Sequence, residues 1–193
     1  GGTVEDQGDA FGDLGTLFIL IVILVYIVMA TQFESLLFPF IIMFTIPFAF
    51  TGVFLALWMT STPLSLIALI GAIMLVGIVT KNGIVMVDYM NLLVERGSGV
   101  FDAVIAGGKS RLRPVLMTSF TTILGMLPLA IGTGAGSETW QPMGIAVIGG
   151  LTCSTLLTLF IIPALYSVFV NRSQRKEKEK LARLSAEHQA SVH

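Results

Sequence analysis

The chain has 193 residues, of which 54% are apolar and only 12% are charged, and its mean hydropathy is +0.88. A soluble domain carries about 25% charged residues, so these figures exclude a soluble globular protein and a disordered one. The single cysteine, Cys153, excludes a disulfide framework, and the net charge of −1 argues against a nucleic-acid partner. The class that remains is a polytopic membrane protein.

Five stretches are long enough and apolar enough to cross a bilayer as helices, each of which needs about 20 such residues. Their predicted bounds are residues 14–30, 36–59, 64–90, 115–131 and 143–170. The apolar runs are continuous rather than alternating with polar residues, which excludes a transmembrane β-barrel. The sequence therefore predicts an all-α membrane protein, a bundle of five transmembrane helices in contact with lipid.

The placement of lysine and arginine predicts the orientation of these spans. Four basic residues lie between spans three and four, and six follow span five, whereas the segment before span one has none. Residues 1–13, which are rich in glycine and acid, are therefore predicted to be an exported juxtamembrane segment, and residues 171–193 a charged cytoplasmic tail. The exported segment lacks the features of a signal peptide, so we expect the chain to be the tail of a longer protein.

The link between spans three and four is long enough to hold structure of its own. Residues 100–106 place apolar side chains at helical spacing, which predicts a short helix on the cytoplasmic face of the membrane, ended by Gly107 and Gly108. Pro47 and Pro128 fall inside predicted spans, where the missing N–H groups are expected to bend the helices.

Lys81 is the most informative residue, because it lies near the middle of span three. A charged side chain at this depth costs about 2.5–3.5 kcal/mol even on a lenient scale, so Lys81 should face protein and have an acidic partner. Asp88 is on the same helical face but about 10.5 Å along the axis, which is too far for contact. The partner is therefore expected from outside this chain. A proton relay is the favoured interpretation, and a buried structural ion pair is the alternative.

Other polar residues near Lys81 have two interpretations each. Asn82 can hydrogen-bond across helices, either as structural contact or as part of a relay. Thr118, Thr121 and Thr122 share one face of span four, where they either bond their own backbone or line a water-filled proton path. Arg111 either anchors the cytoplasmic end of that span or controls proton exit.

The sequence offers no support for an enzyme, a bound cofactor or a metal site. The glycine-rich loop at residues 132–136 lacks the lysine of a phosphate-binding loop. The two histidines, His188 and His193, lie in the polar tail and cannot form a metal site alone. No serine, histidine and acid share one membrane depth, which argues against a hydrolase.

Several motifs resemble those of the resistance–nodulation–division (RND) efflux pumps. Residues 77–89 (GIVTKNGIVMVDY) resemble the tenth-helix motif of that family, and residues 111–119 (RLRPVLMTS) the start of its eleventh helix. Similar stretches are residues 31–36 with Pro39, residues 132–138 and residues 148–151. The resemblance covers about residues 1–170 and is strongest to the hydrophobe/amphiphile branch, which exports drugs and detergents.

This resemblance implies a fold and a mechanism. The chain would supply helices eight to twelve, half of a twelve-helix transmembrane domain in a homotrimer of the bacterial inner membrane, with a periplasmic N-terminus and a cytoplasmic C-terminus. Lys81 would pair with two aspartates on the fourth helix, in the missing N-terminal part of the same protein. Asn82, Thr118 and Arg111 would complete a proton relay, with Asp88, Thr121 and Thr122 as secondary positions. The proton-motive force would drive export, without a cofactor, to a periplasmic adaptor and an outer-membrane channel.

A second hypothesis remains open from the sequence. The chain could be the transmembrane module of a protein-export or lipid-handling relative in the same superfamily, without drug efflux. The two hypotheses differ in what precedes residue 1: a seven-span half with two large insertions indicates the pump, and a single six-helix unit with one small domain indicates the relative.

Overall fold

The computed structural model describes residues 2–191, and within that range it consists of helices joined by short links, without a strand. The predicted segments at residues 1–13 and 171–193 include Gly1, Val192 and His193, which lie outside the described residues. The helices are α1 (Gly2–Phe33), α2 (Leu37–Met43), α3 (Thr45–Met59), α4 (Leu66–Glu95), α5 (Val100–Ile131) and α6 (Ser137–Ser191). When α2 and α3 are counted as one unit, the described residues contain five helices that are long and apolar enough to cross a membrane. This result confirms the predicted class, an all-α membrane protein.

Span two is divided into α2 and α3 because of Pro47. This proline is the third residue of α3 and has no N–H to donate to the carbonyl of Met43, four residues earlier. The helix is interrupted at Phe44, and it resumes with Pro47 in the first turn, where a missing donor costs little. The helix is therefore interrupted one turn before the proline for which a bend was expected. Pro128, by contrast, lies within α5 without ending it.

Helix α5 corrects one expectation. The sequence predicted a separate surface helix near residues 100–106, but α5 runs unbroken from Val100 through Gly107 and Pro114 to Ile131. Gly107 lies inside α5 as a contact point rather than at a helix end: a Cβ placed there would lie 2.6 Å from Cγ of Met90 in α4. The glycine permits close approach of two helices, and it is a C-terminal glycine, Gly132 with φ of 75°, that ends α5.

Both ends of the chain also continue their neighbouring spans. Residues 2–13 are the first turns of α1 rather than a separate segment, and their side chains are mostly exposed. The predicted charged tail is helical as far as Ser191, as an extension of α6 beyond Val170. Its side chains are exposed throughout residues 171–190.

Helix α6 is the centre of the bundle and packs against α2, α3, α4 and α5. One cluster of buried side chains surrounds Met86, Met90 and Tyr166, and a second surrounds Val53 and Leu75. Helix α1 lies at one edge, close to α2 and α4. Only 6% of the most apolar part of α1 and 11% of that of α5 is buried, against 56% for α4. The two least covered helices, α1 and α5, both contact the well-packed α4.

The closest helix contact joins α3 to α6 through small residues. A Cβ on Gly52 would lie 2.7 Å from the carbonyl oxygen of Gly149, and a Cβ on Gly149 would lie 2.9 Å from that of Gly52. A Cβ on Gly150 would lie 3.1 Å from the carbonyl oxygen of Ala49. Small residues at this contact allow the backbones themselves to meet, which is how membrane helices gain packing energy without a hydrophobic driving force.

Candidate functional site

Lys81 lies halfway along α4, on the face that the rest of this chain leaves uncovered. The opposite face of α4 is buried, with Val79, Gly83 and Met86 turned into the bundle. Lys81 and Asp88 are both exposed and share the outer face, since seven residues make two helical turns. Lys81 thus lies in mid-helix on the open side of the bundle, and residues 2–191 do not supply the protein-facing environment that the sequence predicted for it.

The surroundings of Lys81 are apolar. It lines a groove of about 400 Å³ between α1 and α4, beside side chains such as Leu24, Val28 and Ile84. Lys81 makes no hydrogen bond or ion pair with any residue between 2 and 191; the ion pair formed by described side chains is Arg175–Glu179, at 3.5 Å in the tail. An ammonium group at this depth needs a carboxylate to offset its desolvation, and the described chain does not provide one.

Arg111 joins α5 to α4 through an aromatic ring rather than a carboxylate. Its guanidinium carbon lies 4.7 Å from the centre of the Tyr89 ring, which is a cation–π contact. Its Nε is buried and has no hydrogen-bond partner within the described part of the chain. This contact was not predictable from the sequence, because the spacing of two residues on different helices does not indicate whether they meet.

The structure places the four predicted relay residues in different surroundings. Arg111 reaches α4 at Tyr89. Asn82 is buried within the bundle, and Lys81 next to it is exposed on the open side of α4. Thr118 lies on an exposed face of α5, and its hydroxyl is bonded to the carbonyl of Pro114.

The three threonines of α5 donate hydrogen bonds to the backbone of their own helix. Of the two roles considered for them, backbone bonding and lining a proton path, the structure shows the first. Each hydroxyl donates to a carbonyl one turn earlier: Thr118 to Pro114 at 3.0 Å, Thr121 to Met117 at 2.8 Å and Thr122 to Thr118 at 2.9 Å. The donor proton of each group is therefore in use, while the oxygen keeps a lone pair with which it can accept a hydrogen bond.

A buried hydroxyl pair behind Thr118 was not anticipated from the sequence. The hydroxyls of Ser119 and Thr155 lie 2.8 Å apart and join α5 to α6. Thr80, next to Lys81, is also buried, and its hydroxyl has no partner within residues 2–191. Helical spacing separates Ser119 from the exposed threonine face but cannot reveal its partner on another helix.

Loss of the Ser119–Thr155 hydrogen bond is expected to have a small, measurable cost. In a double-mutant cycle with Ser119→Ala and Thr155→Val, the coupling energy should be about 0.6 kcal/mol and no more than about 1.7 kcal/mol, the range for such bonds in membrane helices. Reversible unfolding of the full-length protein in mixed detergent micelles measures it. A coupling energy of zero would mean that the two hydroxyls do not interact.

These features define a class of protein. A bundle of membrane-crossing helices with an unpaired cation in mid-span is typical of a transporter, since charges at this depth mark the paths of ions and protons. The residues between 2 and 191 contain no group of three or more metal-ligating side chains.

Comparison with known proteins gives the family. The sequence pattern of the AcrB/AcrD/AcrF family matches residues 1–170, so the chain belongs to this family of RND efflux transporters. The chain is 44% identical over 156 residues to "Multidrug resistance protein MdtC" of Erwinia tasmaniensis, covering 80% of this chain and 15% of that protein. It is 38% identical over 179 residues to "Cobalt-zinc-cadmium resistance protein CzcA" of Cupriavidus metallidurans, covering 93% and 16%.

A solved structure has the same helix arrangement. A crystal structure of a heavy metal efflux pump superimposes with a TM-score of 0.80 at 32% sequence identity, covering 89% of this chain and 17% of that one. This agreement confirms the transmembrane fold of an RND protein. The chain spans less than a fifth of the length of these relatives.

Proposed function

We propose that this chain is half of the transmembrane domain of a proton-driven exporter, and that Lys81, Asn82, Thr118 and Arg111 are its contribution to the proton-coupling site. The observation that carries the proposal is Lys81 itself: a mid-span cation in an apolar groove, without an acid among the described residues. Membership of an efflux family supports transport as the activity.

The proposed partner of Lys81 is a pair of aspartates in the N-terminal part of the same protein. Ionised aspartates hold the ammonium group, and protonation of one of them weakens that attraction because one of the two negative charges is lost. Lys81 then moves away from the acids, and α4 shifts with it. One charge that crosses the membrane potential supplies about 2.3 kcal/mol per 100 mV, which is enough to bias two conformations of similar free energy.

The packing of α4 explains how such a shift would travel. On its buried side α4 meets α6 closely: a Cβ on Gly83 would lie 3.2 Å from Cδ1 of Ile162, and one on Gly71 would lie 3.0 Å from the carbonyl oxygen of Met143. A close-packed contact transmits displacement rather than absorbing it. Movement at Lys81 would therefore reach α6 and, through it, α3 and α5.

Two substrate classes fit the relatives equally well. Similarity to MdtC supports drugs and other amphiphiles, the class favoured by the sequence motifs, and similarity to CzcA and to the heavy-metal pump supports divalent metal ions. Members of the family generally act as trimers with a periplasmic adaptor and an outer-membrane channel. We propose the same assembly here, in a bacterial inner membrane, with the N-terminus periplasmic and the tail cytoplasmic.

Reconstitution tests the proposal and separates the substrates. The full-length protein in liposomes with an imposed pH gradient should release protons when its substrate is added, which a trapped pH-sensitive dye reports. A cationic amphiphilic dye and Zn²⁺ are added in separate experiments, and the one that is transported elicits the signal. Transport that continues after a protonophore collapses the gradient contradicts proton coupling. If neither compound is transported, the protein-export or lipid-handling alternative is favoured.

A further inference from the structure

One outer face of α5 combines two cations with an apolar trough. Lys109 and Arg113 are one helical turn apart and both exposed, at the end of the span that the basic residues predict to be cytoplasmic. Below them lies an open trough of about 700 Å³. Its remaining lining consists of Leu112, Leu116, Met117, Phe120 and Thr121.

This face lies apart from Lys81, Asn82, Thr118 and Arg111, the four residues proposed for coupling, and shares only Thr121, a secondary position, with the predicted relay. Lys109 and Arg113 are each two residues, about 200° of helix rotation, from Arg111, and Phe120 is equally far from Thr118. The hydroxyl of Thr121 is bonded to the carbonyl of Met117, so the floor of the trough presents little free polarity. The cations of this face therefore serve something other than the Lys81 site.

The dimensions of the face match a single lipid. From Lys109 to Phe120 is eleven residues, about 16 Å of helix. One leaflet of the hydrocarbon core is about 15 Å thick, half of the about 30 Å of the whole core. Neither cation forms an ion pair with a residue between 2 and 191. The face thus offers unneutralised positive charge at headgroup level and apolar surface to the depth of an acyl chain.

We propose that this face binds an anionic phospholipid of the cytoplasmic leaflet. The phosphate oxygens accept hydrogen bonds from the guanidinium of Arg113 and the ammonium of Lys109, and an acyl chain lies along Met117 and Phe120. A zwitterionic lipid fits less well, because its own ammonium would lie beside these two cations. The proposal does not depend on what the protein exports.

Native mass spectrometry of the delipidated full-length protein tests this site. Phosphatidylglycerol and phosphatidylcholine with identical acyl chains are titrated separately, and bound lipid is counted. Each cation near a charged surface contributes about a fivefold gain in affinity, so Lys109→Gln with Arg113→Gln should weaken phosphatidylglycerol binding about thirtyfold at this site. Phosphatidylcholine has no net charge, so its binding should weaken far less and the preference for phosphatidylglycerol should be lost. The matched control, Lys176→Gln with Lys180→Gln in the exposed tail, removes the same charge and should retain the preference.

Two further measurements separate a lipid from free phosphate and from general charge. Glycerol 3-phosphate should not displace phosphatidylglycerol at equal concentration, and Phe120→Ser should weaken both lipids alike. The proposal is overturned if the wild type does not prefer phosphatidylglycerol, if the tail control loses the preference to the same extent, if glycerol 3-phosphate competes equally, or if Phe120→Ser has no effect.

Discussion

Replacement of Lys81 by alanine in the full-length transporter is expected to abolish export while the protein still assembles. The two carboxylates proposed to face Lys81 would lose their counter-charge, and removal of one partner from a buried ion pair typically costs about 3–5 kcal/mol. The carboxylates would then stay protonated and could no longer alternate between two states. Accumulation of substrate in cells, and resistance to it, should equal those of cells without the transporter.

The control for this experiment is Lys176→Ala, which removes a lysine from the exposed tail helix and should leave export unchanged. Size-exclusion chromatography in detergent shows whether each variant is folded and assembled. If cells with Lys81→Ala retain normal resistance, Lys81 is a structural residue and the coupling site lies elsewhere. Loss of the assembled protein in this variant would instead support the structural ion pair that the sequence left open.

Substitution of Gly149 by leucine is expected to give the largest loss of stability in the bundle. A side chain at this position would meet Ala56 and the backbone of Gly52, where even a Cβ would lie 2.9 Å from a carbonyl oxygen. Overpacking of a core costs about 1–3 kcal/mol when side chains can move aside. Here helix backbones must separate, so the cost should reach or exceed the upper end of that range, and α3 should detach from α6.

Thermal unfolding of the full-length protein in detergent measures this effect. Gly15→Leu is the matched control, because among the described residues no atom of another helix lies within 4 Å of a Cβ at that position in α1. The control should unfold close to the wild-type temperature. Equal stability of the two variants would contradict the close α3–α6 contact, and a loss of export in Gly149→Leu without a loss of stability would point to a direct role of this contact in transport.

The fold was largely predictable because a membrane restricts which secondary structures can cross it. Five apolar stretches of sufficient length leave only helices that satisfy their own backbone hydrogen bonds. Pro47 was expected to bend span two, and the span is interrupted at Phe44, one turn before this proline. Gly107 and Gly108 were expected to end a helix, which was wrong: whether a glycine ends a helix or permits a contact depends on what faces it, here Met90 of α4.

The candidate site likewise has features that the sequence predicted and features that it did not. The depth of Lys81 and its need for an acid followed from the cost of burying a charge and from counting residues along one span. The common face of Thr118 and Thr122 followed from helical geometry. The cation–π contact of Arg111 with Tyr89 and the hydrogen bond of Ser119 with Thr155 join different helices, so periodicity within one helix carries no information about them.

By itself the sequence determined that this protein crosses the membrane as helices and carries a cation in mid-span, because transfer of each side chain into hydrocarbon has a cost that depends on local composition alone. Only the tertiary structure decided that α6 occupies the centre, that glycines join α3 to α6, and that Lys81 lies on the open side of α4. Those outcomes depend on which helix faces meet, and the energy of such a contact belongs to two segments at once rather than to either sequence.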